Sequence, residues 1–166
     1  MHDLTFRFAH REDVPVILDL IRELADYEHM LDQVVADPQE LARQLFDLGR
    51  ARVLFPQIDG QIVGFALYFH NFSTFLGRAG LYLEDLYIRP QWRGRGIGKA
   101  TLRRLAAIAR EQGCGRMEWW CLDWNEPSIG FYKKLGAQPM SDWTVYRLTA
   151  ADLEELAEPV ANEGTF

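Results

Sequence analysis

Arg93-Gly94-Arg95-Gly96-Ile97-Gly98-Lys99 is the stretch on which the fold turns. It follows the largely apolar run Leu81-Tyr82-Leu83-Glu84-Asp85-Leu86-Tyr87-Ile88 and precedes Leu102, Leu105, Ile108 and Ala109, which recur at helical spacing. Strand, glycine-rich turn and helix in that order make an anion site. Glycines let the backbone turn sharply against a ligand, and the N-H groups and positive dipole end of the helix favour phosphate. Two phosphate motifs fail the comparison. A P-loop needs Gly at 93 and Ser or Thr at 100, where the chain has Arg93 and Ala100, and a dinucleotide fingerprint needs Gly at 99, where it has Lys99. The same glycines also suit a turn that merely starts a helix.

Working outward, Leu4, Phe6 and Phe8 alternate as a half-buried strand, and Val14, Ile17, Leu18, Ile21, Leu24 and Ala25 mark an amphipathic helix begun by Asp13 and Pro15. The pattern predicts a short helix from Pro38 to Leu48 capped by Asp37, then strands over Arg52–Ile58, Gln61–His70 and Gly80–Ile88, with Asp59-Gly60 as a hairpin turn. Beyond the turn it predicts a helix over Gly98–Gln112, a buried strand over Met117–Leu122, a short helix over Pro127–Leu135 stopped by Gly136, and a last strand over Thr144–Leu148. Thr149 with Asp152 reads as a capping box for a small C-terminal helix. The order predicts one α/β domain over residues 1–166, a mixed, mostly antiparallel sheet of six or seven strands with helices on both faces.

The 166 residues are 48% hydrophobic and 25% charged, the composition of an ordinary globular domain that needs neither disulfides nor a structural metal. Cys114 and Cys121 form no CxxC pair, and the four His show no metal-ligand spacing, so no metal site is expected. The opening MHDLTFRFAH is no signal peptide and no run reaches membrane-spanning length, so a reducing cytoplasm is the expected setting. Acidic residues outnumber basic ones 24 to 18, which argues against nucleic acid as partner. Seven of the 18 basic residues nevertheless fall between Arg89 and Arg110, where there is no Asp or Glu. That island suits a phosphorylated ligand, and equally a solvated basic helix face.

Arg93-x-x-Gly96-x-Gly98 after a strand resembles the pyrophosphate signature of the GNAT acetyltransferases. The likeness extends to Ile21-Arg22-Glu23-Leu24-Ala25-x-Tyr27-Glu28, Ile62-Val63-Gly64-Phe65-Ala66, Tyr82-Leu83-Glu84-Asp85, Trp124-Asn125-Glu126-Pro127-Ser128 and Phe131-Tyr132-Lys133. In this order the blocks are similar to the spermidine/spermine (diamine/thialysine) acetyltransferase branch, from about residue 5 to 148. The resemblance implies acetyl-CoA as acetyl donor, a primary amine of a small cationic substrate as acceptor, and a homodimer with the C-terminal strand and tail as contributors. It implies that Arg93, Gly94, Arg95, Gly96, Ile97, Gly98 and Lys99 hold the diphosphate, that Leu86, Tyr87 and Ile88 offer main-chain groups to the pantetheine arm, and that Asn125 and Ser128 bind the cofactor. Either of the last two could instead cap a helix.

The residues carry their own chemistry beside that likeness. Two adjacent carboxylates interrupt an apolar strand, and strict alternation would bury one of them. An amine is protonated at neutral pH and must lose a proton before attack, so Glu84 is the candidate base, with Asp85 orienting a backbone group or holding the cation. The departing thiolate needs a proton, and the resemblance makes Tyr132 the candidate acid. It also implies that Tyr27 and Glu28 contact the amine. Trp119 and Trp120 concentrate aromatic surface suited to an ammonium or to the core. The residues around Glu118-Trp119-Trp120 depart from those of the polyamine enzymes, which leaves a protein, peptide or antibiotic amine as alternative acceptors. A non-catalytic acyl-CoA-binding module is the reading from another class.

Overall fold

The structure, a computed structural model, describes residues 3–157 and divides into two compact units at Trp120/Cys121. In the first unit a six-stranded sheet has the order β1 (Leu4–Phe8), β2 (Arg52–Ile58), β4 (Gly64–Ser73), β5 (Arg78–Ile88), β6 (Met117–Trp119), with β3 (Gln61–Ile62) also on β2. All pairs are antiparallel except β5 with β6. The predicted mixed, mostly antiparallel sheet is therefore observed.

Side-chain parity on β2 shows why helices cover both faces. Val53 and Phe55 pack with Ile17 and Leu20 of α1 (Val14–Tyr27), with Phe65 and with Tyr87. Ile58, of opposite parity, packs with Val63 and with Ile97 of α3 (Ile97–Glu111). Successive strand residues face opposite sides, so α1 and α3 lie on opposite faces. Asp59 and Gly60 take φ of 48° and 81°, the double left-handed turn expected of the hairpin.

Several boundaries differ from the sequence reading. Asp37 caps α2 by accepting from the amides of Gln39 and Glu40, but α2 is α-helical only over Pro38–Ala42 and widens into a π turn at Arg43–Asp47. The strand predicted over Gln61–His70 breaks at Val63, whose amide donates to Pro56 while its carbonyl accepts from Arg89. Gly64 then passes so close to β5 that a Cβ there would meet the carbonyl oxygen of Tyr87 and lie 2.9 Å from Ile88 Cδ1. Gly64→Ala should cost about 3 kcal/mol of stability, a fall of roughly 6–12 °C in Tm by calorimetry; an unchanged Tm would show that the strands can part there freely.

The central irregularity lies on β5. Asp85 pairs with Leu67 and Leu83 with Tyr68, so Glu84 is an extra residue with no partner on β4. This bulge reverses the parity of the strand. Leu83 shares a face with Tyr68, whereas Tyr87, also odd-numbered, shares the α1 face with Phe65. Strict alternation through two carboxylates is thereby avoided.

The strand predicted over Met117–Leu122 stops at Trp119. In the second unit α4 covers Glu126–Lys134, and Gly136 with φ 88° ends it as expected. Thr149–Asp152 forms half of the expected capping box, the Asp152 carboxylate accepting from the Thr149 amide at 2.7 Å, and α5 follows over Ala150–Ala157. Thr144–Leu148, predicted as a strand, is irregular and exposed. A strand needs a ladder partner, and the described part of this unit contains no other strand. The tail expected to contribute to a dimer, residues 158–166, lies outside the described residues.

Candidate active site

The turn from Arg93 to Lys99 has the backbone its glycines require. Gly94 and Gly96 take φ of 74° and 78°, and nothing lies within 4 Å of where a Cβ would stand on either. Gly96 is the residue before α3, so the amides of Ile97, Gly98 and Lys99 belong to the first turn, whose N-H groups have no partner within the helix. Arg95 lies over the Trp92 ring at 4.8 Å, and Lys99 is exposed. Arg93 behaves differently. Its guanidinium turns back, its Nε donating 2.8 Å to the Ile88 carbonyl and its Cζ lying 4.8 Å from the Tyr27 ring and 5.4 Å from that of Tyr87.

One edge of β5 stands uncovered beside this turn. Pairing with β6 ends at Leu83–Trp119, so among the described residues no strand pairs with the stretch from Glu84 to Ile88 on that side. The Arg89 amide donates toward Val63 on the other side, and main-chain groups alternate between edges along a strand. Leu86 and Ile88 therefore direct their amides to the uncovered edge, while Tyr87 directs its own into the ladder opposite Phe65. Of the three residues expected to offer main-chain groups, Leu86 and Ile88 are placed to do so and Tyr87 contributes a buried ring.

The bulge separates the two carboxylates by environment. Glu84 is exposed, whereas Asp85 is half-buried, and its carboxyl is pushed up to about 7 by burial and by the negative charges of Glu84 and Glu28. Burial also raises Glu28, just beyond the end of α1. The structure thus brings Glu28, Glu84 and Asp85 into one acidic group, with Tyr27 preceding Glu28. Trp119 is half-buried on β6; Trp120 is 57% exposed and meets Tyr82 edge to face at 6.0 Å, which removes it from the core.

Within the second unit Asn125 is buried and its side chain accepts from the Ser128 amide at 3.4 Å, so the helix-capping alternative describes it. Tyr132 is half-buried on α4 with its ring 5.4 Å from that of Phe131.

Residues 18–137 match the model of the acetyltransferase (GNAT) family. The chain belongs to the GNAT acetyltransferase family. This GNAT chain is 36% identical over 163 residues to thialysine N-epsilon-acetyltransferase of Bos taurus, covering 91% of the chain and 95% of that protein. It is 35% identical to an L-ornithine N5-acetyltransferase of Arabidopsis thaliana, with 90% and 86% covered. Among solved structures, an integron cassette protein of V. cholerae superposes with a TM-score of 0.78 at 25% identity, covering 94% of this chain and 98% of that one.

Sequence reasoning missed two features of this GNAT site. Arg89 grips Glu23 of α1 with Nε and Nη2 at 2.9–3.1 Å and also donates to the Ile62 carbonyl, tying α1 to β5 at the mouth of the turn. Neither residue carries a pattern that pairs them across 66 positions. The bulge at Glu84 did leave a signal in the Glu84-Asp85 doublet.

Proposed function

We propose that this acetyltransferase moves an acetyl group from acetyl-CoA to a primary amine of a small cationic substrate, a polyamine, a diamine or a lysine-like amino acid such as thialysine, within a ternary complex. The observation that carries the reading is the acidic group Glu28, Glu84 and Asp85 on and beside the strand whose uncovered edge leads to the glycine turn. Acids attract an ammonium, and the turn suits a diphosphate. The names of the thialysine and ornithine relatives support the same acceptor class.

The residues fit the donor: Gly94 and Gly96 leave room for close approach, and the first amides of α3, with Arg95 and Lys99, match the charge of the diphosphate. Acetyl-CoA supplies the acetyl thioester. Asp85 and Glu28 hold the cation, and Glu84, projecting from the bulge, accepts the proton that the ammonium must lose before attack. The Leu86 amide donates to the negative charge that develops on the carbonyl oxygen. Tyr132 returns a proton to the departing sulfur. A second reading exchanges the carboxylates, because Asp85, with its ionisation near 7, is itself matched to a general base at neutral pH.

The proposal takes the enzyme to be a cytoplasmic homodimer, on the family resemblance and the absence of a disulfide framework in the sequence. Thiol release from acetyl-CoA across spermidine, putrescine, ornithine, lysine, thialysine, an aminoglycoside and a histone-like peptide tests the substrate class. Turnover should appear with at least one small diamine or lysine analogue. Turnover of the peptide or aminoglycoside alone would move the acceptor to that class, and coenzyme binding without thiol release would make the chain a binding module.

A further inference from the structure

Arg93 opens the glycine turn, and its guanidinium turns back toward the end of β5. It lies over two rings from two other elements, Tyr27 at the end of α1 and Tyr87 on β5, and its Nε is fixed to the Ile88 carbonyl. Both ring distances are within the reach of cation-π attraction, and the hydrogen bond sets the plane of the guanidinium. Tyr27 is followed by Glu28, and Tyr87 lies two residues after Asp85. One side chain therefore joins the turn to the two segments that carry the acidic group.

We propose that Arg93 is a positioning residue that transmits occupancy of the diphosphate turn to the amine end of the site through Tyr27. The inference rests on the acetyl-CoA reading above. A diphosphate on the turn's amides selects one backbone conformation there. That fixes the base of the Arg93 side chain, holds its guanidinium over both rings, and settles Tyr27 and the neighbouring Glu28 in the arrangement that receives the ammonium. By linkage, the amine must favour coenzyme binding by the same factor. The cooperativity between coenzyme and amine is then a property of this side chain and not only of the cleft.

The test labels Tyr27 with 3-fluorotyrosine and titrates coenzyme A into wild type, Arg93→Met and Arg93→Lys, each checked for folding by its thermal melt. In wild type the fluorine resonance should move and sharpen as coenzyme A binds. In Arg93→Met coenzyme A should still bind but leave the resonance within its free linewidth, and Arg93→Lys, which keeps the cation without the Nε bond, should recover part of the shift. In steady-state assays the KM for the amine should rise about tenfold in Arg93→Met, and Tyr27→Leu added to it should raise KM by less than a further twofold. A full shift in Arg93→Met, or amine effects of Arg93→Met and Tyr27→Leu that multiply, overturns the clamp alone. Wild-type protein that binds no coenzyme A overturns the acetyl-CoA reading and the clamp with it.

Discussion

Tyr132→Phe should lower kcat by about 10²–10³-fold while leaving the Kd for coenzyme A within about threefold. The substitution removes one hydroxyl and keeps the ring, so the contact with Phe131 and the packing of α4 persist. The proton is needed only as the carbon–sulfur bond breaks, so its loss falls on the transition state and not on ground-state binding. A thiolate leaves more readily than an alkoxide, which holds the expected loss to this range. Thiol release gives kcat and calorimetry gives Kd. Unchanged turnover would take Tyr132 out of the proton transfer, and a Kd that rises as kcat falls would make it a cofactor contact instead.

The contrast between what the residues announced and what they concealed follows their range of interaction. Asp37 before Pro38, Asp59-Gly60, and the glycines within Arg93–Lys99 act within four residues, and each formed the turn or cap read from it. The strand over Arg52–Ile58 was legible as an apolar run, but β2 is buried on both faces, so which of its residues meets which helix was not. Thr144–Leu148 shows the limit: alternation states a preference for a ladder, but a strand forms only against a partner, and none is named in the local sequence. The Glu84-Asp85 doublet was read as a burial conflict. The chain resolves it by inserting Glu84 as an exposed bulge, which leaves Asp85 half-buried. Arg93 was assigned to the diphosphate because of its place in a motif, and the structure adds that its guanidinium lies over rings from positions 27 and 87. Contacts of that separation leave no local periodicity.

Asp85→Asn should stabilise the protein at pH 8 and cost it most of its activity. Folded Asp85 holds its proton up to about pH 7, whereas the unfolded chain releases it near 3.8. Between those values the native state binds more protons, so wild-type stability falls as pH rises from about 4 to about 7 and the deficit is complete above that. The full interval corresponds to at most roughly 4 kcal/mol, and partial solvent access at Asp85 reduces the expected gain in Asp85→Asn to about 1–3 kcal/mol, or some 2–12 °C in Tm at pH 8. Near pH 4 the two proteins should melt together; a difference that is constant with pH would mean that Asp85 is not the titrating group. Activity then separates the two carboxylates. An acid limb in kcat/KM that ends near 7 belongs to Asp85 and should vanish in Asp85→Asn, with kcat/KM down about 10²-fold or more. Glu84 raises Asp85 by its charge, so if Asp85 is the base, Glu84→Gln must move that limb to lower pH. If Glu84 is the base, its loss requires the amine to arrive already deprotonated, and the profile moves to higher pH. The direction of that one displacement assigns the proton acceptor.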